Sequence, residues 1–403
     1  MQNRSTDLPS RQTETPPLAS KSHVPFLDYF RAFAILFVVL IHSGNAVLLR
    51  GISDGGAETA SGVRTVVHIL SHNSTVYFAL ISGVLYAFTL HRKPHLPFLK
   101  SRVLNVFVPY AVISIGLTVL LYGYASYTGR AAFDPLGLAR LTAYNVALGE
   151  AWNTLWYIPV VMVLYIISPP LLAIVRTPSW QWLAVAIALV PLFVSRTGSE
   201  VTPAMIAFFI GVYVVGLAIG ADLDRALTVF RKSRGVLWIA VVCSATAVAF
   251  LDARGIEFLG QTSLRESAIY ILRLAISGLV LLWLYEHCES FGTRTSALLL
   301  LFANYAFGIY FLHGPLLRPI ARVLGEAVPV GDPWLAVSIA ICAAFVLALT
   351  ISTVIVHVIV RTTSPFSRYL IGAVAAKPAK ATGRNSRTDS TDVAAQPPLQ
   401  QRS

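Results

Sequence analysis

Residues 26–49 read FLDYFRAFAILFVVLIHSGNAVLL, a run long enough to cross a bilayer as one helix, yet carrying Arg31 and His42 inside it. Similar apolar blocks recur along all 403 residues, with 56% hydrophobic and only 12% charged side chains and a mean hydropathy of +0.68. Soluble domains are roughly a quarter charged, so a large soluble core is excluded. Long apolar blocks punctuated by Arg, Pro and Gly also exclude an outer-membrane barrel, whose strands alternate over about ten residues. The composition predicts an all-α, polytopic helix bundle in a membrane.

Ten spans are read at 26–49, 66–90, 103–125, 153–175, 179–195, 202–220, 235–251, 265–285, 297–317 and 334–358. Segment 126–152 reads either as an outside loop or as a re-entrant piece. Basic residues cluster on alternate connections: Arg92, Lys93, Lys100 and Arg102; then Arg225, Arg231, Lys232 and Arg234; then Arg361 and Arg368. The intervening loops, with Asp54, Asp134, Glu200, Asp252 and Asp332, are near neutral. The positive-inside bias then predicts both termini in the cytoplasm, and it accounts for the net charge of +12 without nucleic acid. Residues 1–25 are polar, without the apolar core of a signal peptide, and read as a disordered cytoplasmic tail. Residues 26–360 form the membrane domain, and 361–403 a second cytoplasmic tail, largely disordered after about 372. Cys243, Cys288 and Cys342 have no metal-ligand spacing, so no metal site is expected.

On a helix, the eleven steps from Arg31 to His42 make three turns plus about 20°, placing both on one face about 16 Å apart. Asp28, three residues before Arg31, is placed to pair with it or to serve the helix start. Singly, Arg31 reads as a snorkelling anchor and His42 as a packing residue. Together on one stripe they point to function, because burying ionisable groups in a membrane is costly. Imidazole is also the usual base near neutral pH.

Five segments resemble integral-membrane acyltransferase family 3. LDYFRAFAILFVVLIH resembles its Arg-x10-His first helix, and VYFALISGVLY, with Ser82 and Gly83, its aromatic "SG" segment. FLKSRVLNVFVPY resembles its basic loop, LWYIPVVMVLYIISPPLL its fourth-span motif, and YAFGIYFLHGPLL its segment near the C-terminus. The resemblance implies transfer of an acyl group, most often acetyl, from cytoplasmic acyl-CoA to a hydroxyl of an envelope glycan or lipid-linked sugar. It implies a multi-pass protein of the bacterial cytoplasmic membrane with no permanently bound cofactor, acyl-CoA being a co-substrate. His42 carries over as the catalytic residue, either as base or as acyl carrier, and Arg31 as its partner on the donor side. The sequence departs from the family where a second arginine follows the first by three: Arg102 is present, but Asn105 stands at the second place.

Arg92, Lys100 and Arg102 supply positive charge for donor phosphates. Ser82 and Gly83 read either as small residues for close helix approach or as lining of a donor channel. On the acceptor side stand His313, Trp156, Arg273 and His72. His313 is read as an acceptor-site or a packing residue. Trp156 is read as an interfacial or a sugar-stacking ring, and His72, like His68, as a solvated loop-end histidine or an acceptor contact. Arg273, deep in its span, needs a partner, for which Glu150 and Glu266 are candidates. A transporter of a sugar or lipid-linked glycan is the competing class, compatible with the buried arginine and with prolines at 159–170.

Overall fold

The computed structural model describes residues 24–374 apart from 51–56, 131, 197, 199, 261 and 328–332. Of the stretches read as tails, 1–25 and 361–403, residues 1–23 and 375–403 lie outside the described residues, while Pro25 already begins a helix and 361–363 and 367–371 are helical. The chain is a helix bundle whose only strands among the described residues are a two-residue hairpin, Phe258–Leu259 with Thr262–Ser263.

In chain order the helices are α1 (Pro25–Arg50), α2 (Ala57–Ser71), α3 (Thr75–Phe88), α4 (His95–Arg102), α5 (Val108–Tyr127) and α6 (Pro135–Leu148). There follow α7 (Tyr157–Ile166), α8 (Ser168–Arg176), α9 (Gln181–Leu189), α10 (Pro203–Ala221) and α11 (Leu223–Lys232). The last are α12 (Arg234–Arg254), α13 (Leu264–His287), α14 (Thr293–Ala327), α15 (Pro333–Thr363) and α16 (Ser367–Ile371).

Among the described residues, seven helical stretches are long and apolar enough to cross a membrane: Pro25–Leu48, His95–Tyr127, Pro203–Ala221, Arg234–Arg254, Leu264–Ser290, Thr293–Leu324 and Trp334–Thr363. An eighth arises if α7 and α8, bent by 59°, count as one span. The ten sequence segments all fall on helix, but three are not single straight spans. Segment 153–175 bends at Ile167, just before Pro169 and Pro170, which cannot donate to the preceding turn. Segment 179–195 is a shorter apolar helix, Pro178–Leu192. Segment 66–90 is divided between α2 and α3 by His72, Asn73 and Ser74, with Asn73 in the left-handed region at φ 59°. Residues 135–148 of the ambiguous segment form α6, started by Asp134, whose carboxylate accepts from the Leu136 amide at 3.0 Å.

The first helix is central. It packs against α14 most extensively, and against α15, α2, α3 and α13. Its neighbour α3 lies against α10 along a seam of glycines. A Cβ on Gly83 would stand 2.5 Å from the Tyr213 carbonyl, and one on Gly216 or Gly220 would meet the Leu80 or Val84 carbonyl as closely. Gly216 and Gly220 form a G-x3-G pair, the spacing by which membrane helices bring their backbones together. Gly83 therefore serves helix packing. By contrast α5 and α12 expose Leu120, Val119, Val236, Ile239 and Val242, apolar surface of the kind a bilayer covers.

Candidate active site

Two cavities lie toward opposite ends of α1. The one at the Arg31 end, about 160 Å³, is lined by Arg31, Ser82, Arg102, Tyr165, Phe78 and Phe307, among others. Arg31 donates to Asp28 Oδ1 at 3.1 Å, one turn back on the same helix. Arg102 lies over the rings of Phe98 and Tyr165, 5.3 and 5.8 Å from their centroids. Its Nε is buried and has no hydrogen-bond partner among the described residues. Ser82 Oγ is 3.4 Å from Tyr165 Oη on the same wall.

Arg92 and Lys100 are exposed and do not line this cavity. Arg92 ends a short 3-10 turn and Lys100 belongs to α4. Asn105 sits in a π-helical turn, Val103–Phe107, and its amide donates back to Ser101 O at 2.7 Å and Oγ at 3.1 Å. Its amide is thus engaged within the helix.

The cavity at the His42 end is larger, about 660 Å³, and is lined by His42, His72, Glu266, Arg196, Arg318 and Trp156 together with smaller polar groups. His42 and His313 have ring centroids 5.1 Å apart. His313, fully buried on α14, donates from Nδ1 to the Ile309 carbonyl at 3.1 Å. Its Nε2 has no partner among the described residues. Next to it, Gly314 is required by close approach: a Cβ there would stand 2.4 Å from Thr154 Oγ1 and 2.9 Å from Trp152. Residues 151–156 thus lie directly on α14, and Tyr310 Oη donates to the Thr154 carbonyl.

Trp156 is buried, so the interfacial reading gives way: it lines the cavity, with the Arg196 guanidinium stacked 4.4 Å over its ring. His68 is likewise buried rather than solvated, its ring 5.0 Å from that of His72. His72 Nε2 is 2.7 Å from Glu266 Oε1, and the other Glu266 oxygen accepts from Asn73 Nδ2 at 3.2 Å. Asn73 Oδ1 in turn accepts from Arg196 at 2.9 Å. Burial lowers the Arg196 pKa from its ordinary value, and the Glu266 charge works against that shift.

Arg273 is completely buried but outside both cavities. Its hydrogen-bond partners are neither Glu150 nor Glu266. Nε donates to His72 O at 2.7 Å, while the other nitrogens donate to the carbonyls of His68, Ile69 and Leu70 at 2.9–3.2 Å. These are the open carbonyls at the end of α2, where a cation also meets the negative end of the helix dipole. Glu150 instead lies beyond α6, its pKa pushed up by burial and by Glu200.

Between the cavities stands an aromatic partition. Tyr157 is buried 6.4 Å, centroid to centroid, from both Phe78, on the Arg31-end wall, and Tyr310, beside His313. Its hydroxyl has no partner among the described residues. Among the described residues no group of three or more His, Cys, Asp or Glu side chains is placed to hold a metal ion.

The acyltransferase-domain family model matches residues 24–356, which include both cavities and the partition. The chain belongs to acyltransferase family 3. Comparisons with curated proteins and with solved structures give no match. This family 3 protein is therefore a multi-pass membrane acyltransferase. Arg196 and Arg318 were not among the site residues expected from sequence, and Glu266 was expected only as a partner for Arg273. The one prior signal for Glu266 is its place in the first turn of a span, three residues after Ser263, whose Oγ accepts from its amide at 3.2 Å.

Proposed function

We propose that the protein moves an acyl group, acetyl in the simplest case, from acyl-CoA held at the Arg31–Arg102 cavity to a hydroxyl of an envelope glycan or lipid-linked sugar held in the His42 cavity. Placed in a bacterial cytoplasmic membrane with both termini inside, the Arg31 end faces the cytoplasm, where acyl-CoA is made. Guanidinium groups suit the donor phosphates because they bind such oxygens through charge-assisted, often bidentate hydrogen bonds. Arg31 and Arg102 supply them in the cavity, with Arg92 and Lys100 attracting the donor from outside it. The phosphopantetheine arm is long enough to cover the ~16 Å of α1 between Arg31 and His42. The arm passes the Ser82–Tyr157 region and presents the thioester to His42.

The observation that carries this reading is the pair of cavities at the two ends of one helix, Arg31 lining one and His42 the other. The His42 cavity suits a polyhydroxylated acceptor: Trp152 offers aromatic surface, Arg196 stacked on Trp156 offers a donor, and Asn45, Asn153 and Thr154 offer hydrogen-bonding groups. A hydroxyl is a poor nucleophile until a base takes its proton, and His42, in the wall of that cavity, is placed to act either as that base or as acyl carrier. The bent α7–α8 pair would also suit a transporter, but the family is one of acyltransferases.

The test is mass spectrometry of envelope glycans from a deletion strain carrying either the wild-type chain or His42→Ala. An acyl mass lost on deletion, restored by wild type and not restored by the variant is the expected result. An unchanged glycan profile on deletion, or full restoration by a membrane-inserted His42→Ala, overturns the reading.

A further inference from the structure

The His42 cavity contains two imidazoles, and their surroundings differ. His42 faces another histidine, with ring centroids 5.1 Å apart. His72, on the same cavity wall, is bound to a carboxylate at 2.7 Å. Because a carboxylate only accepts hydrogen bonds, Glu266 holds a proton of His72 on Nε2, and in the neutral imidazole the lone pair is then on Nδ1. Glu266 is itself held: its second oxygen takes the Asn73 amide, and its backbone amide donates to Ser263. The His72 backbone is held as well, because Arg273 grips its carbonyl at 2.7 Å along with those of residues 68–70. Glu266 and Arg273 are seven residues apart on α13, about two turns and therefore on one face. One helix thus supplies both the carboxylate that orients the ring and the cation that anchors its main chain.

A base whose far nitrogen is bound to a buried carboxylate has a defined tautomer and direction, the logic by which a third group makes an imidazole effective. We propose that His72, oriented by Glu266, is the base that takes the proton of the acceptor hydroxyl, and that His42 carries the acyl group. This deepens the proposed function and rests on the acyl-CoA reading. In the first half, a ring nitrogen of His42 bonds to the thioester carbonyl carbon. The C–S bond breaks, and the CoA sulfur leaves with the electron pair and takes up the proton shed by the His42 ring. In the second half, the acceptor oxygen bonds to the acyl carbon as its proton passes to His72 Nδ1. The C–N bond breaks, its electron pair returns to His42, and the proton on His72 passes to the His42 ring. Each histidine ends in the protonation state in which it began. Glu266 and Arg273 are positioning residues in this scheme, since neither touches the acyl group.

The two halves can be read separately with the full chain in proteoliposomes, radiolabelled acetyl-CoA as donor, and alkali-deacylated envelope glycan from the deletion strain as acceptor. His72→Ala is expected to take label onto the protein from donor alone, to lose transfer to glycan by at least about 100-fold, and to regain part of it when free imidazole is added. His72→Gln keeps a donor for Glu266 without a basic nitrogen. It is expected to behave like His72→Ala but without rescue, which separates loss of the base from loss of the fold. Glu266→Gln is expected to keep the labelling and to slow transfer by roughly 10-fold, the typical worth of one charged hydrogen bond. His42→Ala is expected to take no label. Near-wild-type transfer by His72→Gln, or loss of labelling and transfer together in folded His72 variants, overturns the proposal. So does acylated glycan formed by the wild type with no labelled protein on its path. A wild type that neither takes label nor acylates the glycan overturns the acyl-CoA reading itself, a distinct failure.

Discussion

The cavities at the two ends of α1 are built by different means. The one at the Arg31 end is small and walled by aromatic rings, and each of its cations has a partner within one turn: Arg31 has Asp28, and Arg102 has Phe98 besides the more distant Tyr165. The one at the His42 end is about four times larger, 660 against 160 Å³, and is assembled from distant parts of the chain. His72 meets Glu266 across 194 residues and Asn73 meets Arg196 across 123. The Asp28 and Phe98 contacts form wherever the helix forms, whereas the walls around them, from α1, α3, α7 and α14, meet only in the assembled bundle. The second cavity depends on α13 closing over the gap between α2 and α3. In the proposed reading the first cavity draws in the donor co-substrate by charge, whereas acyl transfer in the second calls for groups held at fixed relative positions.

If this contrast is right, substitutions at the two ends will differ in kind. The largest effect is expected from His42→Ala, which should lower kcat by about 10²–10⁴-fold, measured as acceptor-dependent CoA release, with protein yield unchanged. Next, Arg273→Leu should destabilise the protein by about 3 kcal/mol, because it leaves several buried carbonyls unpaired at once. Thermal unfolding in detergent reads that, and an unchanged midpoint would mean that the α2 terminus does not need its cation. Arg102→Ala should raise KM for acyl-CoA by roughly 10- to 100-fold through loss of charge-assisted bonds to phosphate, with kcat nearly intact. The smallest effect belongs to Arg92→Ala. Being exposed and outside the cavity, it should cost less than about 1 kcal/mol of donor binding, and that effect should fade with added salt.

The same contrast explains what could be read in advance. The helix bundle, the Arg31–His42 stripe and the basic approach to the third span are local patterns of spacing and composition; the stripe falls on α1, and Lys100 and Arg102 of the basic approach fall on α4. Arg31, Ser82 and Arg102 also gather in one cavity. Gly83 resolves to helix packing because its partner is the backbone of α10, which no local pattern discloses. The break at residues 72–74 was hidden because 66–90 contains no proline. Its main cue is Asn73, a residue that tolerates the left-handed region. Trp156 and His68 look like surface residues by their places near span ends, yet both are buried by elements far away in sequence. Arg273 is the clearest case. A buried cation calls for a carboxylate when only side chains are counted, but here the partners are the main-chain carbonyls that end α2, visible only once α13 lies against them.

The proposed function separates donor binding and acyl chemistry to opposite ends of α1. Titration of acetyl-CoA into purified His42→Ala and Arg102→Ala, followed by calorimetry, tests it directly. His42→Ala is expected to bind the donor with wild-type affinity and Arg102→Ala to bind it at least about 10-fold more weakly. Equal weakening by both variants, or wild-type binding by Arg102→Ala, would contradict that separation.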